Sequence, residues 1–131
     1  MTHRVTVVRI RKELSGNVNQ ELQWIGNSLG LFNLRDKDSS CFRVFITLVK
    51  RAKQNTPITS DDVAERLRLS RGTVVHHLNK LMESGIVVKE RNGYLLRESN
   101  LQDMINDLQR DMEGVFSQLK NVAKEIDGKL S

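Results

Sequence analysis

The clearest hydrophobic pattern of the chain lies between Ser70 and Gly85. One apolar stripe recurs there at helical spacing and consists of Val74, Leu78, Leu81 and Met82. Ser70 is a good N-cap because its hydroxyl can accept a hydrogen bond from an amide of the first turn, and Gly85 suits the left-handed residue that ends a helix. The pattern predicts an amphipathic helix over residues 70–84, with a polar opposite face.

Other periodicities predict three helices before this one. The first covers residues 18–29 and has an apolar face of Val18, Leu22, Ile25 and Leu29, beside Trp24. The second ends near Lys53, is capped by Asp38, Ser39 or Ser40, and has an apolar face of Phe42, Phe45, Ile46 and Val49. The third follows a turn at residues 55–57. Ser60 is its predicted cap, Ile58 its hydrophobic staple, and its inward residues are Val63, Ala64 and Leu67.

β-rich runs predict strands at two places. Residues 4–12, R-V-T-V-V-R-I-R-K, predict a strand within the chain, at a sheet edge or spanning a dimer. After Gly85, the runs I-V-V-K-E and Y-L-L-R are separated by Arg91-Asn92-Gly93. Asn-Gly between two such runs predicts a β-hairpin, since both residues accept a positive φ.

From Leu101 onward the apolar positions follow an unbroken heptad repeat. Their spacing alternates between four and three residues, and they are Leu101, Ile105, Leu108, Met112, Val115, Leu119, Val122 and Ile126, called here the heptad seam. A strict seven-residue repeat predicts a left-handed coiled coil rather than a helix on a globular surface. We expect a second copy of the chain to cover the seam in a homodimer. Folding back on the 18–29 helix is an alternative that is compatible with a dimer.

Together these elements follow the order of a winged helix-turn-helix. We therefore predict a mainly α (α+β) fold in three parts. Residues 1–37 form an N-terminal strand and helix extension, residues 38–98 a DNA-binding domain, and residues 99–131 a coiled-coil dimerisation helix. Residues 70–84 are then the reading helix, and residues 86–97 form the hairpin called the wing.

The charge distribution points to an anionic partner. The chain has 131 residues and a net charge of +5. Residues 41–98 hold eleven lysines and arginines against six acidic residues, whereas residues 99–131 hold four against six. The basic excess therefore lies on the predicted DNA-binding domain. A single cysteine, a polar N-terminus and the lack of a membrane-spanning apolar run predict a cytoplasmic protein with no membrane partner.

The candidate DNA contacts lie on the reading helix and the wing. They are Ser70, Arg71, Thr73, Val75, His76, Asn79, Lys80, Lys89, Arg91, Asn92 and Arg97. Arg71 suits guanine O6 and N7 or a phosphate, and Val75 suits a thymine methyl or, in a slightly rotated helix, the core. Ser70 and Thr73 suit a phosphate at the helix N-terminus or capping alone. We interpret His76 and Asn79 as base-edge contacts. Lys80 and the basic wing residues are interpreted as phosphate contacts.

Residues 58–96 resemble the winged-helix domains of the ArsR and MarR families of prokaryotic transcription regulators. The residues that carry the resemblance are L-S-R-G-T-V-V-H-H-L-N-K-L-M-E-S-G-I-V-V and the later R-N-G-Y-L-L. It implies a dimer on a pseudo-palindromic operator, with the reading helix in the major groove and the wing beside the backbone. His77 occupies the family's histidine position, which we expect to be partly packed or phosphate-facing. Trp24-Ile25-Gly26 and the heptad tail give the chain the look of small archaeal regulators.

Other functions have less support in the sequence. ArsR metal sensors carry a cysteine pair, whereas this chain has one cysteine, and the adjacent His76 and His77 cannot ligate one metal from the same helical face. We predict no metal, no cofactor and no catalysis, because no nucleophile–base motif or Gly-rich phosphate loop is present. Trp24 is the one pointer to a small-molecule effector. The rival interpretations are a protein-interaction or architectural module of the transcription or replication machinery, and an RNA-binding winged helix.

Overall fold

The computed structural model describes residues 4–12, 16–32 and 39–131. Its elements in chain order are α1 (Val18–Ser28), α2 (Ser40–Ala52), α3 (Ser60–Leu67), α4 (Arg71–Glu83), β1 (Val87–Glu90), β2 (Gly93–Leu96) and α5 (Leu101–Leu130). The fold is the predicted winged helix-turn-helix, mainly helical, with a long C-terminal helix. Within these ranges, no helix combines the length and the apolar character that a membrane crossing requires.

Helices α2, α3 and α4 pack around one apolar core that the wing closes. The predicted stripe of α4 is confirmed, since Val74, Leu78 and Leu81 are fully buried. Val63 of α3 is fully buried as well, and Ala64 and Leu67 pack at the edge of the same core. At about 25 cal/mol per Å² of apolar surface removed from water, this burial is the main force that holds α4 in place.

The buried face of α2 is rotated from the predicted one. Its deepest residues are Cys41, Val44, Phe45, Leu48 and Ala52, whereas Phe42, Ile46 and Val49 lie partly buried at the edge of the core. Helix α2 is apolar over a wide arc because it packs on several elements at once. Phe42, for example, meets the edge of Phe32 with ring centroids 5.2 Å apart. Periodicity identifies such an arc but not its centre.

The start of α3 differs from the prediction, whereas the start of α2 falls on one of its three candidate caps. The N-cap of α3 is Thr59 rather than Ser60, and its hydroxyl accepts a hydrogen bond from the Asp62 amide at 3.1 Å. The N-cap of α2 is Ser39, which has a left-handed φ of 51° and makes no side-chain capping bond. Ser40 is buried inside the first turn. The third candidate cap, Asp38, lies outside the described residues.

Residues 4–12, called here the N-terminal strap, do not form the predicted strand. The sheet of the described residues contains β1 and β2 alone. The strap is instead held by the Arg4 amide donating to Glu83 O at 2.9 Å and the Val8 amide donating to Ser28 O at 2.7 Å. The last carbonyls of a helix have no partner within it, so the ends of α4 and α1 can accept these bonds without a neighbouring strand.

Helix α1 docks on the core through a close approach at Gly26. A Cβ atom at Gly26 would lie 2.0 Å from the Phe32 ring, so no other residue fits without moving that ring. Leu22 and Gly26 are the buried residues of α1. Val18, predicted on the same apolar face, is 66% exposed, because the contact with the core begins one turn later.

The wing is confirmed, although its turn differs from the expected one. Val87 lies opposite Leu96 and Glu90 opposite Gly93, and of the Asn-Gly pair Gly93 alone has a positive φ, 135°. A Cβ at Gly93 would lie 2.5 Å from the Ile58 oxygen. Ile58 exchanges two backbone hydrogen bonds with Tyr94, of 2.9 and 2.8 Å. The glycine therefore permits a close approach between the wing and the segment before α3.

Helix α5 begins on the winged helix and then leaves it. Met104 is fully buried, Leu108 is 5% exposed and Leu101 is partly buried. Every residue from Glu113 to Ser131 is exposed. The seam residues Leu101 and Leu108 are thus covered by the chain itself, while Val115, Leu119, Val122 and Ile126 are 48–57% exposed. The alternative in which α5 folds back on α1 is wrong for the described chain.

Candidate nucleic-acid interface

The turn between α3 and α4 fixes the direction of α4. Arg68 ends α3 with a left-handed φ of 55°, and Ser70 caps α4 by accepting from the Thr73 amide at 3.1 Å. The Ser70 hydroxyl also donates to Thr73 Oγ1 at 2.8 Å. From α2, the guanidinium of Arg43 donates to the Leu67 carbonyl at 2.5 Å. The side chains of Ser70 and Thr73 are therefore engaged in capping α4, and these bonds fix the direction in which the helix starts.

One face of α4 is free for a ligand because the other face is in the core. Arg71, His76 and Asn79 are exposed, and Thr73, Val75 and Lys80 are partly buried. Helix α4 carries no acidic residue before Glu83, in its last turn. The exposed face thus carries donors and a positive charge, as a helix that approaches DNA requires.

Arg71 has an ionic partner that the sequence does not suggest. Its Nε lies 3.4 Å from Asp61 Oδ1, and both side chains are more than 70% exposed. An ion pair this exposed contributes little to stability, since both charges remain hydrated and screened by salt. Arg71 can therefore exchange Asp61 for a phosphate or a guanine at small cost.

His77 faces the protein rather than solvent, in line with the packed alternative that we expected. Its Nε2 lies 2.7 Å from Ser40 Oγ, a bond that joins α4 to the first turn of α2. The neighbouring His76 is exposed, and the two ring centroids are 5.5 Å apart. Of the two histidines, His76 is the one placed to meet a ligand.

The wing adds a second group of basic and polar side chains. Lys89, Arg91 and Asn92 are all exposed at its turn and first strand. Lys89 Nζ lies 5.6 Å from the centroid of the Tyr94 ring, so a cation–π contact holds the ammonium over the hairpin. Glu90 between Lys89 and Arg91 is exposed as well, so the tip is cationic by one net charge, which suits contact with the phosphate backbone.

Arg97, predicted as a phosphate contact, is engaged by α5 in the structure. It donates to Asp111 Oδ2 at 2.7 Å, its Nε lies 3.3 Å from Asp107 Oδ2, and its side chain is only 29% exposed. The hydrogen bond to Asp111 raises the pKa of Arg97 further above its ordinary value. Because two carboxylates of α5 occupy its guanidinium, Arg97 ties the base of the wing to α5.

Two residues near α4 were not predicted and belong to the same surface. Gly72 is exposed in the first turn of α4, and a Cβ there would meet no atom within 4 Å. Packing therefore does not require this glycine, whose helix propensity is about 1 kcal/mol poorer than that of alanine. Arg68 is exposed in the turn before α4. A glycine in the first turn of an exposed helix is the sequence signal that points to a close backbone approach.

The described residues show little other site chemistry. In those ranges, no group of three or more His, Cys, Asp or Glu side chains is placed to hold a metal ion. Cys41 is buried, and its thiol donates to the Leu31 carbonyl at 3.3 Å. Trp24 borders an open, polar cavity of about 250 Å³, but its indole N–H is already bonded to Ile10 O at 3.1 Å. The sequence-based pointer to an effector at Trp24 stays a prediction.

Comparison with known proteins identifies the same segment. Residues 54–89 match the family described as bacterial regulatory protein, arsR family. The match covers α3, the turn, α4 and most of β1. Comparison with curated proteins gave no match, and comparison with solved structures gave none.

Proposed function

We propose that the protein is a homodimeric transcription regulator that reads DNA with α4 in the major groove and places its wing beside the phosphate backbone. The match of residues 54–89 to the arsR family of bacterial regulators supports the coarser statement, a DNA-binding transcription regulator. The finer statement rests on one observation. Helix α4 buries one face completely and presents Arg71, His76 and Asn79 on the other, with no acidic residue before its last turn.

The two parts of the interface have different tasks. Contacts to phosphates supply affinity without sequence information, and contacts to base edges supply specificity. We assign base contacts to Arg71, His76 and Asn79, and phosphate contacts to Lys89 and Arg91. Thr73, Val75 and Lys80 are secondary contacts on the flank of α4, and Asn92 lies at the tip of the wing. This division explains why both an ordered helix face and a separate cationic tip are present.

The proposed homodimer uses the uncovered half of α5. Four successive seam residues, Val115, Leu119, Val122 and Ile126, are each about half exposed, as a coiled-coil seam without its partner would be. Phe116 beside them is 53% exposed. A second copy of the chain would cover this stripe, and two reading helices related by a two-fold axis would fit a palindromic site.

The test is selection of the purified full chain against a randomised duplex pool, followed by sequencing and by fluorescence anisotropy at near-physiological salt. We expect an enriched palindrome with half-sites about one helical turn apart. If nothing is enriched and binding vanishes as salt rises, the specific-reader proposal is refuted. The protein-interaction or architectural alternative then gains weight.

Two variants test the division of tasks on the enriched site. Arg71→Ala should reduce the ratio of specific to random DNA affinity by about tenfold, since a good base contact contributes about 1–3 kcal/mol of discrimination. Lys89→Ala should weaken both affinities by a similar factor and lower the slope of log affinity against log salt by about one. Equal losses on specific and random DNA for Arg71→Ala would contradict its base-reading role.

A further inference from the structure

An apolar groove lies beside the point where α5 leaves the winged helix. Its walls include Val5 of the N-terminal strap, Met82 of α4, Val87 and Val88 of β1, and Val115 of α5, around a volume of about 630 Å³. Val88 is 38% exposed and Val115 48% exposed. The groove thus opens directly onto the uncovered seam, because Val115 belongs to both.

We propose that the C-terminal turn of a second copy's α5 occupies this groove, so that the two copies pair in antiparallel orientation. The inference rests on the proposed homodimer and adds its orientation and a second contact. The occupant is not the chain's own C-terminal turn. Leu130 follows Val115 on one continuous helix, which places it about 22 Å farther along the axis at roughly 1.5 Å per residue.

The length of the uncovered stretch argues for the groove. With Lys129 at the next step of the repeat, its seam positions run from Met112 to Lys129. In an antiparallel pair these positions face one another in reverse order, so Lys129 lies opposite the partner's Met112. Leu130 then lies beside the partner's Asp111, which lines the partner's groove. In a parallel pair the two C-terminal turns meet each other and both grooves stay empty.

Charge also favours the antiparallel orientation over the parallel one. Lys129 lies three residues after Ile126, where the repeat would place its next seam residue. A parallel pair would place Lys129 against the partner's Lys129, two like charges at one position of the seam. The antiparallel pair places Lys129 opposite the partner's Met112, so the two ammonium groups lie at opposite ends of the paired stretch.

The antiparallel arrangement also gives Leu130 a buried position. Leu130 is 80% exposed, the highest value among the large apolar residues of the described chain. The two winged helices would lie at opposite ends of a paired stretch of about 27 Å. That separation is of the same order as the ~34 Å between half-sites one DNA turn apart.

Cysteine cross-linking of the full chain tests the orientation. Val88→Cys and Leu130→Cys are made singly and together, and each is treated with a mild oxidant or a short bismaleimide. Cys41 is retained, since it is 2% exposed. We expect the double variant to form a covalent dimer with an 88–130 link, mapped by mass spectrometry, and each single variant to form none. Leu130→Ala should weaken the dimer by at least about tenfold by sedimentation, because the dimer loses two buried leucine side chains. Val18→Ala, a truncation at an exposed site outside the groove, should leave the dimer unchanged.

The outcomes separate the two proposals. Cross-linking of Leu130→Cys alone would indicate parallel tails and overturn the groove proposal. A stable dimer without any 88–130 link, or one unaffected by Leu130→Ala, would also overturn it while leaving the homodimer intact. A wild-type chain that sediments as a monomer at every concentration would refute the homodimer itself.

Discussion

Val74, Leu78 and Leu81 of α4 are fully buried, whereas Val115, Leu119 and Val122 of α5 are 48–57% exposed. Both helices carry a regular apolar stripe, but only α4 meets α2, α3 and the wing within its own chain. Helix α5 passes the edge of the domain after Met112 and extends about 27 Å beyond it. One periodic pattern is therefore covered within the chain, and the other is available to the second copy that we propose.

Placing charges on the exposed stripe of α5 should have the largest effect. Leu119→Glu combined with Val122→Glu should abolish the dimer at micromolar concentrations, because four carboxylates would meet at the seam. The circular dichroism spectrum of the winged helix should persist, since neither residue contacts it. Sedimentation velocity measures the result.

Ser117→Glu combined with Asn121→Glu is the matched control for that variant. It adds the same charge to the same helix away from the seam and should leave the dimer intact. Persistence of the dimer in Leu119→Glu/Val122→Glu would place the interface elsewhere, for example in residues 4–30.

Truncation of a leucine in the buried stripe of α4 provides the second test. Leu78→Ala should lower the free energy of unfolding by about 2–5 kcal/mol, because it removes buried apolar surface and leaves a cavity in the packed core. The loss should be the same at every protein concentration. Leu119→Ala, the same substitution on α5, should act through the dimer and therefore more strongly at high concentration than at low. Urea unfolding at two concentrations measures both, and a concentration-independent loss for Leu119→Ala would contradict the assignment.

The junction between the two regions is expected to show the smallest effect. A hydrogen bond to Asp107 of α5, followed by Coulomb repulsion from that carboxylate, raises the pKa of Glu98 above its ordinary value. A raised pKa means that the folded state holds this proton more tightly than the unfolded state. The contribution of Glu98 to stability is therefore present at acid pH and is lost as the pH rises through the folded-state pKa.

Glu98→Gln removes this titration and provides the measurement. The variant should have a slightly higher Tm than the wild type at neutral pH, and the difference should shrink and vanish toward acid pH. Thermal unfolding across that range measures it. Glu90→Gln, at an exposed carboxyl on the wing, is the control. A difference that does not change with pH would contradict the interaction between Glu98 and Asp107.

Local signals in the sequence were sufficient for much of the fold. The cap at Ser70, the stripe of α4 and the two runs around Asn92-Gly93 each depend on residues close together in sequence. The predictions that the structure corrects, and the contacts of Arg97 that the sequence did not predict, depend on distant partners. The strap lacks a neighbouring strand in the described chain, Arg97 turns to Asp107 and Asp111, and the centre of the α2 face depends on what packs there.

The candidate interface shows the same division. The exposed donors of α4 follow from helical geometry once its apolar stripe is known, so Arg71, His76 and Asn79 were predictable. The ion pair of Arg71 with Asp61 and the bond of His77 to Ser40 were not, because each joins two helices whose relative position the sequence does not state. Gly72 left a readable signal, since a glycine lowers the stability of a helix and packing does not require one there.

The sequence alone determined the heptad period, the winged helix-turn-helix order and the basic character of residues 41–98, because period, caps and charge are properties of neighbouring residues. The tertiary structure alone decided where the heptad seam becomes available. Leu101 and Leu108 satisfy the repeat as well as Leu119 does, yet the domain covers the first two and cannot reach the third. Burial depends on which surfaces meet, and that depends on the position of the domain in space.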